Sequence, residues 1–131
     1  AGPLVAFLNG RDRYHEWVML QWAQIDPPLL TCEAVLSGAC FLLRRIEGGQ
    51  AAVLELLRRE VVHLPFRIDE HVNKITWLLR KYSDVPMSLA DACLVRMSEL
   101  YADSPVLTLD DDFRIYRKNK REIIPLLHYS N

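Results

Sequence analysis

The strongest constraint on the fold is a recurrence of short apolar runs between longer amphipathic segments. "LLT" at 29–31, "VVHLPF" at 61–66, "VLTL" at 106–109 and "EIIPLL" at 122–127 are apolar nearly throughout and too short for helices. A strand without a polar face has no solvent side, so such strands belong in a parallel sheet covered on both faces by helices. The fold class expected is therefore α/β. Pro125 places the last strand at an edge, because proline cannot donate to a ladder.

The intervening segments supply the covering helices. Two short helices are expected in "GPLVAFLN" and "YHEWVMLQWAQI", separated at Gly10. From Cys32 to Ile46 the residues Val35, Ala39, Leu42, Leu43 and Ile46 recur at helical spacing, and "EGG" ends the run. "QAAVLELLRRE" predicts another helix, with Val53, Leu54 and Leu57 inward and Arg58 and Arg59 at its favourable C-terminal end. A helix from Asp69 through Lys81 follows. The next starts at Ser88, a preferred N-cap residue, and closes before Pro105.

With 131 residues, this is one domain's worth of chain. Half the residues are apolar, which excludes a disordered class, and no apolar run approaches the roughly 20 residues needed to cross a bilayer. Cys32, Cys40 and Cys93 cannot all pair and lie within apolar helical patterns, so reduced thiols in a cytoplasmic protein are expected. A formal net charge of -1 excludes a general polyanion binder, leaving any nucleic-acid contact local. His15, His63, His71 and His128 show no ligand-like spacing and are read as ordinary histidines. Trp17, Trp22 and Trp77 fall on apolar helical faces and are read as core.

The chemistry concentrates at strand ends. In an open α/β sheet, ligands bind beyond the carboxyl ends of the strands, where helices present their N-termini. Glu33 follows "LLT", Asp91 sits in the first turn after Ser88, and Asp110, Asp111 and Asp112 follow "VLTL". Each has a structural reading: Glu33 meeting a helix dipole behind Thr31 as N-cap, Asp91 completing a capping box, and Asp110 to Asp112 starting a turn. Together at junctions of one sheet they also read as an oxygen-ligand site for Mg²⁺ or Mn²⁺. Adjacent aspartates raise the cost of ionising one another, a cost that a cation removes. The basic run "RIYRKNKRE" beside them suits phosphate.

The ordered set "GPLVAFLNGRDRYHEWV", "LLTCEAVLSGACFLL", "MSLADACLVRM" and "VLTLDDDFRIYRK" resembles the PIN-domain ribonucleases, particularly the VapC-like toxins of toxin–antitoxin pairs. The similarity covers essentially the whole chain. It implies a three-layer α/β/α sandwich with a central parallel sheet, and residues 1–131 as a single PIN-like domain. Glu33 looks like the family's second acid, Asp91 its third and Asp110 its fourth. Asp112 matches a further acid before the phenylalanine, here Phe113, and Thr108 the hydroxyl residue two before the fourth acid. The family's first acid ends a strand that would fall upstream of Ala1, so an aspartate directly before Ala1 is expected.

The implied activity is metal-dependent endoribonuclease, with Glu33, Asp91 and Asp110 catalytic, Asp112 a further metal ligand and Mg²⁺ or Mn²⁺ as cofactor. RNA is the implied substrate, a cognate antitoxin the protein partner and a homodimer the expected assembly. Trp17, Val18 and Trp22 are apolar surplus for that dimer. Position alone assigns Arg114, Arg117 and Lys118 to the RNA backbone. The alternative is a catalytically silent PIN-like module that binds RNA or a protein. A phosphatase or receiver-like domain is disfavoured, since an acidic pair ending the first strand and a suitably placed lysine are both missing.

Overall fold

The computed structural model describes residues 1–129, which divide into two compact units, residues 1–65 and the residues from Phe66 onward. In the first unit, α1 (Gly2–Leu8) begins with Pro3 near its N-terminus, where a missing N–H costs nothing. α2 (His15–Ala23) follows a turn in which Asp12 accepts the Tyr14 N–H at 2.8 Å. Phe7 stacks on Trp22 with ring centroids 3.9 Å apart and ties these helices together.

β1 (Leu29–Leu30) and β2 (Val62–His63) pair in parallel, Leu29 opposite Val62 and Leu30 opposite His63. α3 (Glu33–Leu42) and α4 (Gly49–Arg58) connect them, as a parallel pair requires. Val18, Cys32, Ala39, Leu43, Val53 and Val62 fill the core of this unit. α3 stops four residues short of Ile46, because Leu43 ends the buried stripe and Leu42 and Ile46 are exposed. In α4 it is Leu56, not Leu54, that turns inward with Val53.

In the second unit, the expected helix from Asp69 splits into a 3₁₀ turn (Ile68–Glu70) and α5 (Val72–Lys81), with His71 between them stacked on Phe66. α6 (Leu89–Leu100) packs on α5 and buries Ala92, Cys93, Val95 and Met97. "EIIPLL" divides at Pro125. β5 (Glu122–Ile123) pairs antiparallel with β4 (Arg117–Lys118), and β6 (Leu126–His128) pairs in parallel with β3 (Val106–Thr108). The Pro125 carbonyl still accepts the Val106 N–H at 2.8 Å, so the break loses a donor and keeps an acceptor.

Helices flanking parallel strands make the chain α/β, as the sequence predicts. Among the described residues no helix is long and apolar enough to cross a membrane. Cys32 and Cys93 are buried and Cys40 is half-buried.

Candidate functional site

Asp91 owes its position to the start of α6. Ser88 caps that helix, its Oγ accepting the Asp91 N–H at 3.0 Å, which satisfies one of the backbone donors a helix start leaves open. The carboxylate is turned instead toward Tyr116, whose hydroxyl donates to Asp91 Oδ2 at 2.9 Å. Tyr116 is fully buried, with its ring edge-on to Tyr82 and to Phe113, both at 5.1 Å.

Asp110 and Asp112 are placed by the turn that ends β3. Thr108 Oγ1 accepts the Asp110 N–H, and Asp110 Oδ1 accepts the Asp112 N–H, each at 2.9 Å. These two bonds cap a 3₁₀ turn (Asp111–Arg114) that drops Phe113 into the core. Asp91, Asp110 and Asp112 each present a carboxylate oxygen, and the three oxygens lie within 4.8 Å of one another.

Burial pushes the Asp91 carboxyl above the usual carboxylate range; the Tyr116 and Ser88 hydroxyls work against the shift, and the charge on Asp110 adds to it. Desolvation likewise raises Asp112, with Asp110 and Asp91 repelling its charge. The Tyr116 hydroxyl is pushed up by its burial and then by its bond to Asp91, so it stays a donor. This donor set fits a hard divalent cation: three carboxylates whose mutual repulsion such an ion would relieve. Oxygens bound directly to one Mg²⁺ at about 2.1 Å would lie about 3–4 Å apart, so spacings up to 4.8 Å suit an ion that keeps some waters.

The family model described as "PIN domain" matches residues 1–119, which include all three aspartates and extend across both units. The chain belongs to the PIN domain family. PIN domains are as a class nucleases and typically use a divalent metal. Comparison with curated proteins found no match.

The other residues singled out in this PIN domain have varied surroundings. Glu33 is exposed at the start of α3, in the first unit, and Cys32 rather than Thr31 stands at the N-cap, without a side-chain cap bond. Asp111 is exposed, its Oδ1 3.1 Å from His128 Nε2, close in distance but off the line of a hydrogen bond. Arg114 is exposed, with a guanidinium nitrogen 3.4 Å from His128 Nδ1. Arg117 donates to the carbonyls of Arg114, Ile115 and Tyr116, bracing its own turn. Lys118 is buried, its ammonium donating to the Ala102 carbonyl at 3.2 Å.

Sequence reasoning missed Tyr116, which orients the half-buried Asp91. The charges around it in "RIYRK" masked an apolar spacing of three between Phe113 and Tyr116, and that spacing was the available signal.

Proposed function

We propose that this chain is a metal-dependent endoribonuclease and the toxin of a toxin–antitoxin pair. The observation that carries the reading is the convergence of Asp91, Asp110 and Asp112 from two helical starts onto a space of one cation's size, within a family of nucleases. Mg²⁺ or Mn²⁺ held there would supply a water of lowered pKa and offset charge on the scissile phosphate. Asp91, held by Tyr116, fixes the inner side of the cage. Asp110 reaches it from the turn that Thr108 braces, and Asp112 adds a third charge. Arg114 is the proposed contact for the RNA backbone, with Arg117 and Lys118 supporting the turn that carries it. The role of Glu33 as a further acid rests on its motif, and Glu33→Gln tests it separately.

The cognate antitoxin is the proposed protein partner and a homodimer the proposed assembly. Val18 is fully buried and Trp22 covers Phe7, so the apolar residues that α2 offers a second copy are Met19 and Leu20.

The test is cleavage of single-stranded RNA with Mg²⁺ or Mn²⁺, with chelator, and with Asp91→Asn. Cleavage that needs the metal and is lost in the variant is the expected result. RNA binding without cleavage would favour the silent module, and unchanged cleavage by Asp91→Asn would return Asp91 to a purely capping role.

A further inference from the structure

Outside the carboxylate trio, the second unit gathers lysines around one indole. Trp77 lies half-buried in the middle of α5. Lys74, one turn before it, places Nζ 4.8 Å from the ring centroid, and Lys81, one turn after, places Nζ at 5.0 Å. Lys120, from the turn between β4 and β5, brings a third ammonium to 5.7 Å.

One cation over an indole is ordinary packing. Three repel one another, and the surroundings neutralise only the first. Glu99 pairs with Lys74 at 3.5 Å and with Arg96 at 3.1 Å. Among the described residues neither Lys81 nor Lys120 takes part in an ion pair. The Lys81 ammonium donates instead to the neutral carbonyl of Lys120 at 2.9 Å, which holds the turn against α5. That turn is held at a cost: Asn119 and Lys120 both have positive φ, 48° and 71°, a region that lysine enters reluctantly.

We propose that Trp77, Lys81 and Lys120 form a second contact surface for single-stranded RNA. The inference rests on the nuclease reading and deepens it by naming where the strand lies beyond the cleaved bond. Lysine stems are flexible, so the ammonium groups can swing from the ring to phosphates and leave the indole to stack on a base. The cluster is tied to the carboxylates through the interior of the same unit: Lys81 Nζ is 5.2 Å from the buried Tyr82 ring, which packs on Tyr116, which bonds Asp91. An acidic protein would match the charge, but the central indole favours unpaired bases.

The test is fluorescence anisotropy of a labelled single-stranded RNA with the intact protein in chelator, over a series of salt concentrations. Replacing both lysines, Lys81→Gln with Lys120→Gln, is expected to weaken binding and reduce the slope of log K against log salt by about 1.4, two phosphate contacts at about 0.7 each. The arginine pair, Lys81→Arg with Lys120→Arg, is expected to keep both affinity and slope. Trp77→Leu should weaken binding about fivefold or more, while Trp77→Tyr retains most of it. Unchanged affinity and slope in the glutamine pair would overturn the proposal, whatever protein the surface serves, and the nuclease reading would stand if metal-dependent cleavage persists. Equal loss in the arginine pair would make the lysines structural and overturn it too. A chain that neither binds nor cleaves RNA removes both readings.

Discussion

Asp91 is costly to ionise where it stands, half-buried and facing Asp110, and the Tyr116 hydroxyl is what offsets part of that cost. Tyr116→Phe should therefore lower stability by about 1 kcal/mol, the net value of one hydrogen bond, and should also push the Asp91 pKa higher. Calorimetric titration with Mn²⁺ at two pH values checks this: the variant should lose cation binding at a higher pH than the parent. The raised carboxyls also set a sign for metal-free stability. A folded-state pKa above the unfolded value means that the folded chain holds more protons, so stability falls as pH rises from the ordinary carboxylate pKa of about 4 through the raised values. The deficit is fully present only above the raised values. Without metal, Asp112→Asn should be at least as stable as the parent at neutral pH, and the gap should close on acidification. Melting curves across that window check it, and a gap that widens in acid would be wrong in sign. The positions of Asp91, Asp110 and Asp112 were legible because each follows a strand end or a helix cap. Tyr116 was not, because burial of a tyrosine inside a charged run depends on which way a short turn faces.

At the level of elements, most helices and strands could be read from apolar spacing, and the errors fall where spacing outlasted the core. Ile46 continues the α3 pattern, yet the chain has already turned and leaves it exposed. The cause is the closing of α3 onto α4. Gly48 takes a left-handed φ of 72°, and a Cβ on Gly49 would stand 2.5 Å from the Leu43 carbonyl oxygen. Gly49→Ala should force the helix pair apart and cost about 1–3 kcal/mol, measured by denaturant melts. A neutral result would show that the pair yields easily. The hairpin of β4 and β5 was hidden in the same way as Tyr116. "RKNKRE" reads as a solvated run, while Asn119 and Lys120 adopt positive φ and Lys118 buries its ammonium against Ala102.

For the whole molecule, a net charge of -1 means that attraction for RNA has to come from local groups rather than from the overall field. That balance suits a site whose acids hold a cation and whose contacts with RNA are made by a few local cations. The assembly is testable through α2: Leu20, 63 % exposed, is the apolar residue it shows most fully. Leu20→Glu should leave the fold intact and turn a dimeric mass into a monomeric one by analytical ultracentrifugation. A parent chain already monomeric at micromolar concentration would count against the dimer. Whether Asp91, Asp110 and Asp112 together hold a divalent cation is read from Mn²⁺ binding followed by electron paramagnetic resonance. The parent chain should bind Mn²⁺, and Asp91→Asn with Asp110→Asn, still folded by circular dichroism, should lose that binding; equal affinity in the two would rule out a shared cation site.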